Sequence, residues 1–123
     1  MEYTNTVLVV DDSEMIVRVL SFMIKKAGYT TLSAIDGKKA LEFFDGRDID
    51  IVVTDLNMPG MDGIELISEI RVKEPYRNIP IVLFSAGSEE EQQKIMETSG
   101  ATMLFDKNNI QDKMISTIKK LVG

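Results

Sequence analysis

The sequence predicts an α/β fold in which five parallel strands form one doubly wound sheet. Three observations carry that prediction. Short apolar runs alternate with amphipathic helical stretches along the whole chain. Several of those runs, such as Val7-Leu8-Val9-Val10, are apolar on both faces, the pattern of a parallel sheet covered by helices on each side. The 123 residues, 44% apolar and 28% charged, suffice for a single core. No repeat, low-complexity tract or linker interrupts the alternation, so residues 1–123 read as one domain.

The elements follow in order. Strand-like runs are Thr6–Val10, Thr30–Ala34, Ile49–Asp55, Ile79–Ser85 and Ala101–Phe105. Between and after them lie helical segments: Ser13–Ala27, Lys38–Phe44, Gly63–Lys73, Glu89–Ser99 and Ile110–Leu121. In the first helix Ile16, Leu20, Met23 and Ala27 repeat at helical spacing, and in the last Ile110, Met114, Ile118 and Leu121 do the same. Ser88 with Glu91 makes a capping box, and Asn109 with Asp112 a looser one. Gly28 and Gly100 stand where helices stop. Phe22, Phe43 and Phe44 are assigned to the core. Met58 and Met61 are expected to pack a loop, and the other methionines to fill the core. Five strand–helix units of this kind predict the flavodoxin-like (βα)5 sheet with strand order 2-1-3-4-5.

In such a sheet the ligand lies outside the carboxyl ends of the strands, where the order reverses. The first strand delivers Asp11 and Asp12, the third Asp55, the fourth Ser85 and the fifth Lys107, and these four strands are neighbours in the proposed order. Singly, each residue has a plain structural explanation. Asp11-Asp12 before Ser13 can cap a helix, Asp55 can belong to a polar turn, Ser85 can be a strand-end hydroxyl and Lys107 a surface lysine. Four strand ends carrying complementary groups together argue for one site. Carboxylates at contact distance repel by roughly 4 kcal/mol per pair at 4 Å and an effective dielectric of 20, so they need a cation or protons. An oxygen-only donor set suits a hard ion such as Mg²⁺. A partly neutralised aspartate can itself be the nucleophile, with Mg²⁺ and Lys107 balancing charge on a transferring phosphoryl group and Ser85 hydrogen-bonding to it.

Composition removes other chemistries. The chain has no cysteine and no histidine, which excludes disulfides, thiol catalysis and histidine-based acid–base work. A net charge of −6 argues against a nucleic-acid surface. No apolar stretch reaches the roughly 18 residues of a membrane span, and Met1-Glu2-Tyr3-Thr4-Asn5 lacks the features of a signal peptide, so a cytoplasmic location is expected.

At this point a family resemblance becomes visible. The carrying segments are Val9-Val10-Asp11-Asp12-Ser13, Asp36-Gly37 with Ala40-Leu41, and Thr54-Asp55-Leu56-Asn57-Met58-Pro59-Gly60-Met61-Asp62-Gly63. Pro80-Ile81-Val82-Leu83-Phe84-Ser85-Ala86 and Gly100-Ala101 ahead of Lys107 complete them. Over essentially its whole length the chain resembles the receiver (response-regulator) domain of two-component signalling, most of all its stand-alone chemotaxis type. The resemblance implies a signalling switch rather than a conventional enzyme. Asp55 would accept a phosphoryl group from a histidine kinase, a phosphotransfer protein or a small acyl phosphate, and would catalyse its own dephosphorylation. Mg²⁺ would sit on Asp11, Asp12, Asp55 and the Asn57 backbone carbonyl. Ser85 would swing toward the phosphorylated Asp55, Lys107 would pair with it, and Ala86 would leave it accessible, with Asn57 and Gly87 lining the site. A downstream protein would read the fourth helix, fifth strand and fifth helix. The first and last residues suit a stand-alone form, which is the expectation here.

Two positions depart from the family pattern. A proline usually follows the lysine, often through a cis bond; here Asn108 follows Lys107, which predicts a trans bond and a reshaped loop. The aromatic switch position holds Leu104. Three rival readings fit less well: a receiver-like interaction module that is not phosphorylated, a phosphatase of the haloacid-dehalogenase type, and a flavin carrier. The module's usual mark is a lost acidic residue, and none is lost; the Asp-x-Asp of the phosphatase is absent; carboxylates after the first strand would repel a flavin phosphate.

Overall fold

The computed structural model describes residues 5–122. Its elements are β1 (Thr6–Val10), α1 (Glu14–Lys26), β2 (Thr30–Ala34), α2 (Gly37–Leu41), β3 (Ile51–Asp55), α3 (Gly63–Arg71), β4 (Ile81–Ser85), α4 (Glu89–Ser99), β5 (Met103–Asp106) and α5 (Ile110–Val122). Short 3₁₀ turns at Glu74–Tyr76 and Lys107–Asn109 precede β4 and α5. The five strands are parallel in the order β2-β1-β3-β4-β5, the arrangement expected from the sequence.

Strand alternation divides the core into two layers. Leu8, Val10, Val52, Ile81 and Leu83 point to the face covered by α2 and α3, where Ala40, Leu66, Ile67 and Ile70 meet them. Val7, Val9, Ile51, Val53, Val82 and Phe84 point to the other face, against Val17, Leu20 and Ile24 of α1 and Ile110, Met114 and Ile118 of α5. Continuous apolar strands are the sequence signature of a sheet buried on both sides.

Several boundaries differ from expectation, each for a local reason. β4 begins at Ile81 rather than Ile79 because Pro80 has no N–H to add to the ladder, although its carbonyl still accepts from Val52 N at 3.0 Å. β3 begins at Ile51, since Asp50 spends its carboxylate on the Thr6 N–H at 2.7 Å. β5 runs from Met103 to Asp106, shifted toward the site: Thr102 uses its hydroxyl on Ile81 N and leaves the strand start irregular. α2 starts at Gly37, capped by Asp36, and after Leu41 tightens into i→i+3 hydrogen bonds that end it early. α3 ends at Arg71 and α5 runs one residue further, to Val122. The Lys107–Asn108 bond is trans, as expected; no cis peptide occurs among the described residues.

Three packing expectations fail. Phe22 is 67% exposed rather than core, because the buried stripe of α1 runs through Val17, Leu20 and Ile24, one position away from the Ile16–Leu20–Met23 reading. Met15 and Met96 are likewise exposed instead of filling the core. Among the described residues no capping hydrogen bond joins Asn109 to Asp112; the turn before α5 is capped by Asp106. By contrast Ser88 does cap α4, accepting from Glu91 N, while its hydroxyl donates to the Glu91 carboxylate. Phe44 and Met58 are buried, and Phe43 and Met61 pack against the same cluster. Gly100 closes α4 in the left-handed conformation, at φ 81°.

Candidate functional site: an acidic cluster at the strand ends

β1 hands its chain to Asp11, whose N–H still reaches Ala34 O at 3.2 Å, so the residue is held like a strand position. Its Oδ1 accepts from Ser13 N at 2.9 Å at the start of α1. The second oxygen, Oδ2, is buried and has no hydrogen-bond partner among the described residues. Asp12, next along, is exposed. Asp55 closes β3 and is 1% exposed. The backbone beyond it is fixed from two directions: Leu56 N donates to Phe84 O, and Gly63 N donates to Leu56 O. Gly63 is required here, because a Cβ on it would stand 2.5 Å from Asp55 O.

One carboxylate oxygen from each of Asp11, Asp12 and Asp55 lies within 4.8 Å of the others. Lys107, carried beyond β5, places Nζ 3.1 Å from Asp55 Oδ2 and 6.0 Å from the centre of the Phe84 ring. The other Asp55 oxygen, Oδ1, is buried without a partner. Burial is the main reason the Asp11 carboxyl is pushed up from 3.8 to about 6; the negative charge of Asp55 adds to the rise, while the Ser13 N–H and Lys107 oppose it. Two buried, unpartnered oxygens within a cluster of three carboxylates form an oxygen-only donor set suited to a hard cation. The residues therefore fit Mg²⁺.

Ser85 ends β4, fully buried, with its Oγ unpartnered among the described residues and its carbonyl accepting from Gln92 Nε2 at 3.3 Å. Thus the fold brings Asp11, Asp12, Asp55 and Lys107 together, and at the end of the neighbouring β4 it leaves the Ser85 hydroxyl without a hydrogen bond among the described residues. Asn57 lies in the exposed loop after β3, and Ala86 is exposed next to Ser85. Leu104 is half-buried and packs toward the α2–α3 side of the sheet.

The sequence reading missed Asp106, whose carboxylate accepts from Asn108 N at 2.9 Å and caps the turn that carries Lys107. The signal was present as an aspartate two residues before an asparagine at a strand end, the spacing of an Asx turn. Gln92, bonded to the Ser85 carbonyl, was also missed; a glutamine on an exposed helix gives no sequence cue.

Comparison with known proteins agrees with this geometry. The family model of the response regulator receiver domain matches residues 7–119. Chemotaxis protein CheY-3 of Vibrio cholerae is 38% identical over 87 residues, covering 70% of this chain and 67% of that protein. The solved structure of chemotaxis protein CheY4 of Vibrio cholerae superimposes with a TM-score of 0.89 at 28% identity, over 97% of this chain and 99% of that one. The response regulator TrrA of Thermotoga maritima, solved in complex with Mg(2+)-BeF, is 30% identical with a TM-score of 0.82, over 96% and 99% of the two chains. With its five-stranded order, its aspartate cluster and this match along nearly all its length, the chain belongs to the response regulator receiver domain family.

Proposed function

We propose that Asp55 is the phosphoryl acceptor of a signalling switch whose donor is a phosphohistidine of a histidine kinase or phosphotransfer protein, or a small acyl phosphate. Phosphorylation-dependent switching is the general function of the family. The observation that carries the specific reading is the state of Asp55: nearly fully buried, at a strand end, with one oxygen on Lys107 and the other free. In the transfer a carboxylate oxygen of Asp55 attacks phosphorus. The bond from phosphorus to the donor nitrogen or oxygen breaks, and the leaving group carries away that electron pair.

Asp11, Asp12, Asp55 and the Asn57 backbone carbonyl would hold Mg²⁺. When bound, the ion supplies positive charge to the phosphoryl oxygens. Lys107 Nζ moves its ion pair from the carboxylate to a phosphoryl oxygen, and the unpartnered Ser85 hydroxyl turns to donate to another. Both motions act on the β4–β5 side of the site, so the added charge of about −1.5 to −2 is transmitted to α4, β5 and α5, the surface that a downstream protein reads. With Leu104 in place of an aromatic ring, transmission runs through Ser85 and the start of α4 rather than through ring rotation. Loss of the phosphoryl group to water, assisted by the same residues, resets the switch. Residues 1–123 act as one receiver domain. Among the described residues no helix is long and apolar enough to cross a membrane.

The test is incubation with phosphoramidate, whose P–N bond mimics phosphohistidine, followed by amide hydrogen exchange. The reading predicts one hydroxylamine-sensitive adduct and altered exchange in α4, β5 and α5. An adduct that leaves those segments unchanged would refute the proposed output surface.

A further inference from the structure

We infer that Asp106 is a positioning residue for Lys107, fixing the lysine against Asp55 by capping the 3₁₀ turn on which it rides; the inference rests on the role proposed for Asp55. β5 ends at Asp106, which is in register with Ser85 of β4. From there the chain must deliver Lys107 over the end of β4 to reach Asp55 on β3. The stretch Asp106-Lys107-Asn108-Asn109-Ile110 holds no proline to stiffen that junction, and its two asparagines are residues that readily adopt other turns. What defines the junction is a single side-chain contact: Asp106 Oδ1 accepts from Asn108 N at 2.9 Å, and the Asp106 backbone, at φ −67° and ψ 129°, is extended up to the point where the turn begins.

The consequence for Lys107 is geometric. Its peptide is enclosed between the Asp106 carboxylate and the Asn108 N–H, so the closed Asx turn fixes the direction in which the Lys107 side chain leaves the backbone. The Phe84 ring, its centre 6.0 Å from Nζ, lies near the ammonium but offers no hydrogen-bonding anchor for the turn. The Asp55 carboxylate at 3.1 Å then receives an ammonium already aimed at it. Because the lysine side chain is 34% exposed, water competes for it. A long side chain loses rotamer freedom when fixed, so a preset backbone direction reduces what the ion pair must overcome. Asp106 is also an acid near a lysine, and its role must be separated from a simple charge effect.

The isosteric amide makes that separation. Asparagine retains an oxygen that caps a turn but not the charge, whereas alanine removes both. Rates of Asp55 phosphorylation by acetyl phosphate, read by intact mass, are measured for the wild type, D106A, D106N, K107A and the D106A/K107A pair. D106A is expected to slow labelling on the order of tenfold, D106N to remain within about twofold of the wild type, and the double variant to label no more slowly than K107A alone. Equal slowing in D106N and D106A, no slowing in D106A, or further slowing in the double variant would each overturn the inference.

A second readout needs no phosphoryl transfer. The Lys107 side-chain NMR signal is compared in the wild type, D55N, D106A and D106N. If the cap positions the lysine, D106A shifts the signal toward its position in D55N, where the ion pair is lost, and D106N does not. An unmoved signal in D106A overturns the inference even if the wild type is never phosphorylated. Absence of any adduct in the wild type would instead count against the role of Asp55 itself.

Discussion

Lys107 Nζ lies 3.1 Å from Asp55 Oδ2, so an ion pair spans from beyond the end of β5 to the end of β3, across the fully buried Ser85 at the end of β4. The pair is lopsided: the carboxylate is 1% exposed and the lysine side chain 34%. Removing Lys107 therefore leaves a buried charge beside Asp11 with no ion-pair partner among the described residues. K107A should lose about 1–2 kcal/mol of stability in metal-free urea unfolding at pH 7, less than the 3–5 kcal/mol typical of a fully buried pair, because water already screens the lysine. A variant as stable as the wild type would show that the pair contributes nothing to folding.

Asp11 makes metal-free stability depend on pH in an unusual direction. Its carboxyl, raised from 3.8 to about 6 chiefly by burial, binds a proton more tightly when folded than when unfolded. The resulting stabilisation is fully present below pH 3.8 and is lost as pH rises through about 6. Asp45, lowered to about 2 by hydrogen bonds from exposed Arg47, acts in the opposite sense but only as pH falls below the ordinary carboxylate range. Between pH 5 and 7 the Asp11 effect therefore outweighs that of Asp45. Metal-free protein is expected to be more stable at pH 5 than at pH 7, on the order of 1 kcal/mol by urea unfolding, and saturating Mg²⁺ should reverse the ordering. Equal stability at the two pH values without metal would contradict this.

The same burial makes D11N informative. Asparagine can still accept the Ser13 N–H but brings no charge into the cluster. At pH 7 without metal the variant should unfold at a higher urea concentration than the wild type, while the wild type's gain from Mg²⁺, about 1.4 kcal/mol at ten times the dissociation constant, should largely vanish. Urea unfolding of both proteins with and without Mg²⁺ checks this. Undiminished stabilisation by the metal would remove Asp11 from the ligand set.

Ser85 presents a buried hydroxyl that bonds to nothing among the described residues. Such a group costs stability rather than adding to it, so S85A should be neutral or more stable by up to about 1 kcal/mol. Its loss should appear only after phosphorylation: labelling of Asp55 persists, while amide shifts in α4 and β5 shrink. Full shifts in labelled S85A would separate the hydroxyl from the switch.

The fold was legible because two-sided apolar strands and amphipathic helices admit few other arrangements, and the site because strand ends in such a sheet converge. Asp11, Asp12, Asp55 and Lys107 met as the strand order required. Less legible were features set by local competition for hydrogen bonds. Asp50 and Thr102 spend side chains on neighbouring backbone and shift strand starts, and Asp106 rather than Asn109 caps the entry to α5. The buried face of α1 lies one position from the stripe the sequence suggests, because Ile16, Val17, Val19 and Leu20 offer two overlapping helical stripes; tertiary contact with the sheet selects Val17, Leu20 and Ile24 and turns Phe22 outward. Nothing in a linear pattern chooses between such stripes.

The central claim is that Asp55 accepts a phosphoryl group with help from a metal held by its neighbours. Intact mass after incubation with acetyl phosphate, with and without Mg²⁺, for the wild type and D55N, tests it most directly. The account predicts one phosphoryl adduct on the wild type that needs Mg²⁺ and is absent from D55N. An adduct that persists in D55N, or a wild type that binds Mg²⁺ yet is never labelled by acetyl phosphate or phosphoramidate, would contradict it.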